Sequence, residues 1–256
     1  VGKVQASVGM VYWTDRPFLN PAAVNPAFSL LASLQKTKQF EDEANFYDEA
    51  ERARRFALLH YRTESLAPDT LLTTQRPNVL LIRTEGCGAS FVHAVNPEAD
   101  PAVTPHLNRL AEEGVVFTQC YANSFRTDRG TVSTLSGYAS FPTLSVMKIP
   151  AKSRSLPCIA STLKEKGYEN TFLYGGDINF TNMRSYLVGT GFERLYSTEC
   201  FSKEEQRSAQ WGVRDDITFR YLADLIIHRN NNEEKGKQQS EGECQPIMIG
   251  FSTLSS

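Results

Sequence analysis

The chain has 256 residues, of which 41% are hydrophobic and 22% charged, so it can bury a sizeable core as one main domain. Its 27 basic and 29 acidic residues are spread along the sequence with a formal net charge of -2, so no concentrated basic face indicates nucleic acid. No apolar run approaches the roughly 20 residues of a membrane-spanning helix, and five scattered cysteines without a CxxC pair favour neither a zinc site nor a disulfide scaffold.

The first 76 residues differ in pattern from the rest of the chain. They are rich in helix formers and lack strand alternation, and Pro68 and Pro77 mark the exit into the main domain. We therefore predict a helical lead-in at 1–76 and a main domain at 77–256. Because the chain begins at Val1 without a methionine and stops at Ser256 directly after a strand-like segment, we also expect it to be a fragment.

From Pro77 onward, short apolar runs alternate with amphipathic segments, which is typical of strand-helix-strand units on a mostly parallel sheet. The sequence therefore predicts an α/β fold with helices flanking the sheet. In chain order, the predicted elements are a strand at 78–83, a helix capped by Thr104 and ending at Gly114, a strand at 115–122, a helix capped by Ser155 and ending at Gly167, a strand at 171–174, a helix from Asp215 or Asp216, and a strand at 247–253. The polar residues 229–245 are predicted to be an exposed, mobile loop outside the functional site.

A carboxylate follows the first predicted strand. Glu85 comes just after the apolar run 79–82, and the small residues 86–88 after it would let a ligand approach the backbone. In open α/β sheets, ligands bind at the carboxyl ends of the strands, where this position would lie. The alternative is an ordinary exposed acid in a strand-to-loop turn.

A hydroxyl follows the next predicted strand. Thr127 precedes a Ser/Thr-rich helical stretch, and backbone N–H groups at a helix N-terminus favour an anion such as phosphate. Arg126 and Arg129 add cationic groups suited to phosphate oxygens. The alternative is that Thr127 merely caps the helix. If Glu85 and Thr127 converge on one crevice, a divalent cation between them could activate the hydroxyl and polarise a phosphoryl group.

Three segments together resemble the opening of a sulfatase-type catalytic domain in the alkaline-phosphatase superfamily: 77–86 (PNVLLIRTEG), 104–110 (TPHLNRL) and 114–118 (GVVFT). Formylglycine sulfatases carry a cysteine where this chain has Thr127, so the resemblance disfavours sulfate-ester chemistry. A threonine nucleophile is similar to the lipoteichoic acid synthase, or phosphoglycerol transferase, branch. The stretch 174–184 is similar to the segment of those synthases that recognises glycerol phosphate, which implies Asp177 for hydroxyls and Arg184 for phosphate. The alternative is a plain helix start after Asp177 with Arg184 solvated.

The resemblance implies an enzyme that transfers a phosphoglycerol-like headgroup from a phospholipid through a covalent phospho-Thr127 intermediate. Its metal would be divalent, manganese first with zinc or magnesium as alternatives, bound by Glu85 and Thr127. The implied partners are a phospholipid donor and a glycan or lipid acceptor, and the implied location is the extracytoplasmic side of a cell membrane, reached through segments absent from this chain. A phosphodiesterase or sulfuric ester hydrolase and a non-catalytic surface domain of the same fold remain the alternatives.

Overall fold

The computed structural model describes residues 25–27, 30–31, 46–59, 72–141, 144–237 and 245–254. The chain divides into two units between Thr70 and Leu71. In the first unit, helix α1 (Glu49–Leu59) is stabilised by ion pairs from Glu51 to Arg54 and Arg55 at 2.8 and 2.7 Å. The helical lead-in at 1–76 and the start of the main domain at residue 77 stay predictions.

The second unit is built on a sheet whose four described strands are all parallel. In chain order its elements are β1 (Val79–Arg83), α2 (Pro105–Glu113), α3 (Thr127–Ser136), α4 (Pro150–Ser153), α5 (Ile159–Glu165), β2 (Glu169–Tyr174), α6 (Met183–Gly189), β3 (Arg194–Tyr196), α7 (Asp215–Lys237) and β4 (Ile247–Ser252). The strand order is β1-β4-β2-β3. The predicted α/β class with a parallel sheet is confirmed.

Alternating side chains of the central strands divide the core between the two faces of the sheet. Phe172 and Met248 join one cluster with residues of α3, α5 and α6, whereas Leu173 and Ile249 join a second cluster with residues of α7. Both central strands are buried along nearly their whole length, as expected for strands covered by helices on both faces, although β2 begins with the polar residues Glu169, Asn170 and Thr171. Gly250 makes this packing possible, because a Cβ there would lie 2.6 Å from Phe172 Cδ2.

Three sequence predictions about elements are wrong. Residues 115–122 form no strand; Val115 and Phe117 are 64% and 71% exposed, and no described strand runs beside them to supply hydrogen bonds. The α5 cap is Cys158, in a reciprocal capping box with Ser161, and not Ser155. Helix α7 continues to Lys237 because helix-forming Glu and Lys residues follow its asparagines, so 229–237 is not a loop, while 238–244 lie outside the described residues.

Candidate active site

Glu85 lies at the carboxyl end of β1, as the sequence predicts. Its backbone N–H donates to the Thr253 hydroxyl at 2.7 Å, and the Thr253 N–H donates to the Arg83 carbonyl at 3.0 Å. These two bonds fix the start of the loop against the end of β4. Gly86 then takes a left-handed φ of 65°, which only glycine adopts without strain, and turns the chain away while the Glu85 side chain stays 29% exposed.

Thr127 is the first residue of α3, and its hydroxyl donates to Glu85 Oε2 at 3.1 Å. The prediction that the two side chains meet at one edge of the sheet beside a helix N-terminus is confirmed. The residue before it, Arg126, occupies the N-cap position, and Thr127 makes no side-chain capping bond. The interpretation of Thr127 as a mere helix cap is therefore wrong. Thr127 belongs to the first turn of α3, where the helix dipole favours negative charge.

A cation that the sequence analysis missed lies next to this pair. Arg83 Nη1 is 3.5 Å from Glu85 Oε2, and Nη2 donates to Ser252 Oγ at 2.6 Å. Burial lowers the pKa of Arg83, while the charges of Glu85 and Tyr174 oppose that shift. An arginine on the core-facing side of an apolar strand was the available signal, because Arg83 follows Val79 and Leu81 at a spacing of two residues.

Arg126 and Arg129, the two arginines near Thr127, contact different parts of the structure. Arg126 Nε is 3.9 Å from Oδ1 of the buried Asp128, which Lys148 approaches on Oδ2 at 3.8 Å. Arg129 lines a small cavity together with Val132, Tyr138 and Val146, residues of α3 and of the segment that follows it. A role for Arg129 in phosphate binding stays a prediction.

The other two predicted site residues come together after β2. Asp177 Oδ1 accepts from the backbone and side-chain nitrogens of Asn179 at 2.8 and 3.0 Å. Arg184 Nε donates to Asn179 Oδ1 at 2.9 Å, and its Nη2 is 3.3 Å from Glu199 Oε2. Asn179 therefore bridges the exposed carboxylate and the guanidinium, and Arg184 is not simply solvated. Asn179 lies within the stretch 174–184, but its linking role was not predicted from the sequence.

The backbone between Asp177 and Arg184 is strained. Thr181 and Asn182 have left-handed φ values of 54° and 63°, and neither is a glycine. Such conformations cost about 1–3 kcal/mol each and cluster at functional sites. Asn182 Nδ2 donates to the Lys148 carbonyl at 3.3 Å, which ties the segment to the loop after α3.

Tyr174, at the end of β2, is influenced by the charges of both Glu85 and Asp177. Burial raises the pKa of this tyrosine most, followed by the charge of Glu85; Arg83 acts in the opposite direction, and Asp177 raises it further. Glu85 follows β1 and Asp177 follows β2, and both strands pair with β4 in parallel. The carboxylates therefore stand at the same carboxyl edge.

The oxygen atoms of Glu85 and Thr127 are suited to form part of a metal site. Glu85 and Thr127 supply two oxygen ligands of the kind that Mg²⁺ and Mn²⁺ prefer. Within the described part of the chain, no three His, Cys, Asp or Glu side chains are grouped closely enough to hold a metal ion. The residues present thus fit two positions of a coordination shell that needs further ligands.

A family model described as Sulfatase matches residues 77–238, which is more than half of the chain. The chain belongs to the sulfatase family. The match begins two residues before β1 and includes Glu85, Thr127, Asp177 and Arg184.

Curated relatives cover most of this sulfatase-family chain. Phosphoglycerol transferase I of Escherichia coli is 25% identical over 209 residues, covering 78% of this chain and 25% of the relative. The protein of that name from Shigella boydii matches to the same extent. The chain spans about a quarter of the length of the curated relatives it matches.

Solved structures support the fold. A protein of the alkaline phosphatase superfamily from Vibrio parahaemolyticus aligns with a TM-score of 0.56 and 31% identity over 72% of this chain and 41% of its own. The lipoteichoic acid synthase LtaP of Listeria monocytogenes aligns with a TM-score of 0.57 and 14% identity over 70% of this chain and 40% of its own. The predicted alkaline-phosphatase-like fold is confirmed. Among the described helices, none is long and apolar enough to cross a membrane.

Proposed function

We propose that the intact protein transfers a phosphoglycerol-like headgroup from a phospholipid to an acceptor through a covalent intermediate on Thr127. The observation that carries this proposal is the 3.1 Å hydrogen bond from the Thr127 hydroxyl to Glu85 Oε2 at the N-terminus of α3. A hydroxyl that donates to a carboxylate beside a helix N-terminus is placed for nucleophilic attack on phosphorus. The similarity to phosphoglycerol transferase I supports the choice of headgroup.

The first step exchanges one phosphorus–oxygen bond for another. Thr127 Oγ1 attacks the headgroup phosphorus, its proton leaves along the hydrogen bond to Glu85 Oε2, and the bond from phosphorus to the diacylglycerol oxygen breaks. That oxygen departs with a proton from solvent. In the second step an acceptor hydroxyl attacks the phosphothreonine and gives its proton to solvent, the bond from phosphorus to Thr127 Oγ1 breaks, and Thr127 recovers its proton from Glu85.

The remaining predicted residues would hold the headgroup. Asp177 is exposed and would bind the glycerol hydroxyls, while Arg184 and Arg129 would contact phosphate oxygens. Asn179 and Glu199 already orient Arg184, so its guanidinium loses less freedom when a phosphate binds.

Glu85 and Thr127 would also hold a divalent cation, manganese first with zinc or magnesium as alternatives. When bound, such a cation lowers the pKa of a coordinated hydroxyl and neutralises charge on the phosphoryl oxygens. The Arg83 guanidinium already lies 3.5 Å from Glu85 Oε2, so the cation would share this carboxylate with an internal positive charge.

The same chemistry suggests the partners and the location. The donor is a membrane phospholipid and the acceptor a glycan or lipid, so we place the catalytic domain at a cell membrane on its extracytoplasmic side. Parts of the protein beyond this chain would provide attachment to that membrane.

The test follows the fate of a labelled headgroup. With the intact protein, labelled phospholipid and a saccharide acceptor, we expect label on the acceptor and none after Thr127→Ala. Label released only as free headgroup would show a hydrolase that uses water as acceptor. Unchanged donor under every condition, with no effect of added metal, would support a non-catalytic domain and contradict the proposal.

A further inference from the structure

Arg83 is a largely buried cation beside the Glu85–Thr127 pair. It is the last residue of β1, and its side chain is 20% exposed. Because side chains alternate along a strand, it lies on the same face as Val79 and Leu81, which pack against the core. A guanidinium in this position loses much of its hydration and requires polar partners.

The two terminal nitrogens of Arg83 contact two different elements. Nη2 donates to Ser252 Oγ at 2.6 Å, and Ser252 is fully buried on β4, where it pairs with Arg83 in the strand register. Nη1 lies 3.5 Å from Glu85 Oε2 and beside Gly130 of α3, whose Cβ position is 3.7 Å away. The guanidinium is thus anchored on the sheet and reaches into the site.

Arg83 and Thr127 approach the same carboxylate oxygen. Glu85 Oε2 accepts from the Thr127 hydroxyl at 3.1 Å and faces Arg83 Nη1 at 3.5 Å. The Glu85 backbone is already fixed by Thr253, so the rotation of its side chain is what Arg83 can still control.

We propose that Arg83 is a positioning residue for headgroup transfer, which holds the Glu85 carboxylate in the orientation that receives the Thr127 hydroxyl. This inference rests on the proposed function, in which Thr127 is the nucleophile. Arginine suits the role because its planar fork spans Ser252 and Glu85 at once. A lysine at position 83 would keep the positive charge but has only one side-chain nitrogen, so it could not contact Ser252 and Glu85 in the same way. A methionine would keep only the apolar part of the side chain.

The experiment measures the single-turnover rate of adduct formation on Thr127 and the donor concentration that gives half-saturation. We expect Arg83→Met to slow the saturated rate about 10- to 100-fold with half-saturation unchanged, as for other residues that orient a reactive group. Arg83→Lys should fall between Arg83→Met and wild type, and Ser252→Ala should slow the reaction less than Arg83→Met. The matched control is Arg194→Met, an exposed arginine at the opposite, amino end of β3, which should leave both quantities unchanged.

A wild-type rate in Arg83→Met would overturn the inference. A raised half-saturation concentration with an unchanged saturated rate would also overturn it, because Arg83 would then bind the donor directly. If thermal unfolding shows that Arg83→Met does not fold, wild-type rates in both Arg83→Lys and Ser252→Ala overturn it instead. Thr127→Ala separates the two proposals. Headgroup transfer that survives in Thr127→Ala contradicts the proposed function itself. If Thr127→Ala abolishes transfer while the Arg83 variants react at the wild-type rate, only the role of Arg83 is contradicted.

Discussion

Replacing Thr127 should separate folding from chemistry. The hydroxyl makes one hydrogen bond, to Glu85 Oε2 at 3.1 Å, and is not the helix cap. Thr127→Val removes that bond while keeping the branched shape of the side chain. Thr127→Ala also removes a methyl group, and Thr127→Ser keeps the hydroxyl.

The expected loss of stability is small. A hydrogen bond to a charged group contributes about 1.5–3 kcal/mol, but Glu85 is 29% exposed and can bond to water instead, so about 1 kcal/mol is the appropriate figure. For a domain of this size, about 1 kcal/mol lowers the melting temperature by roughly 2–4 °C. Loss of a nucleophile, in contrast, should lower turnover by about 10³-fold or more.

The assay pairs thermal unfolding with headgroup transfer at saturating donor. We expect Thr127→Val and Thr127→Ala to melt within a few degrees of wild type and to show no transfer, and Thr127→Ser to keep partial activity. Near-normal transfer by the valine variant would show that Thr127 is not the nucleophile, because valine has no oxygen with which to attack phosphorus.

Three further predictions concern the core and the metal. Gly250→Ala should destabilise the domain by about 1–3 kcal/mol because its Cβ would lie 2.6 Å from Phe172 Cδ2, and an unchanged urea midpoint would contradict this. Asn170→Ala should cost about 2 kcal/mol, because the buried amide donates to two backbone carbonyls at 2.7 and 3.1 Å; a loss below experimental error would show that these bonds are dispensable. Chelation of divalent metal should stop headgroup transfer by the intact protein, and added manganese should restore it. Glu85→Gln should weaken manganese binding measured by calorimetry. Equal manganese binding by wild type and variant would exclude Glu85 as a ligand.

The rule that ligands bind at the carboxyl ends of parallel strands correctly brought Glu85 and Thr127 together. The prediction assumed that both residues directly follow a strand, and this holds only for Glu85. Residues 115–122, which precede Thr127, are irregular. An apolar run becomes a strand only when a neighbour supplies hydrogen bonds, and a single sequence does not show which neighbours are available.

The residues that surround Glu85 were missed for a related reason. Thr253 and Ser252 belong to a predicted strand, but their contact with Glu85 and Arg83 depends on β4 lying next to β1. That pairing joins segments far apart in the chain, and local patterns of hydrophobicity carry no information about strand order. Asn179, in contrast, lies within the stretch 174–184, and its bond to Asp177 two residues earlier is a local turn contact that the sequence can predict.

Mass spectrometry can show whether Thr127 carries the headgroup during transfer. The most direct measurement mixes the intact protein with donor phospholipid in the absence of acceptor, quenches the mixture with acid and determines the mass of the protein and of its peptides. We expect one added phosphoglycerol group on the peptide that contains Thr127, and we expect it to be lost when acceptor is supplied before the quench. Transfer that proceeds at full rate without an adduct, or with an adduct on another residue, would contradict this expectation.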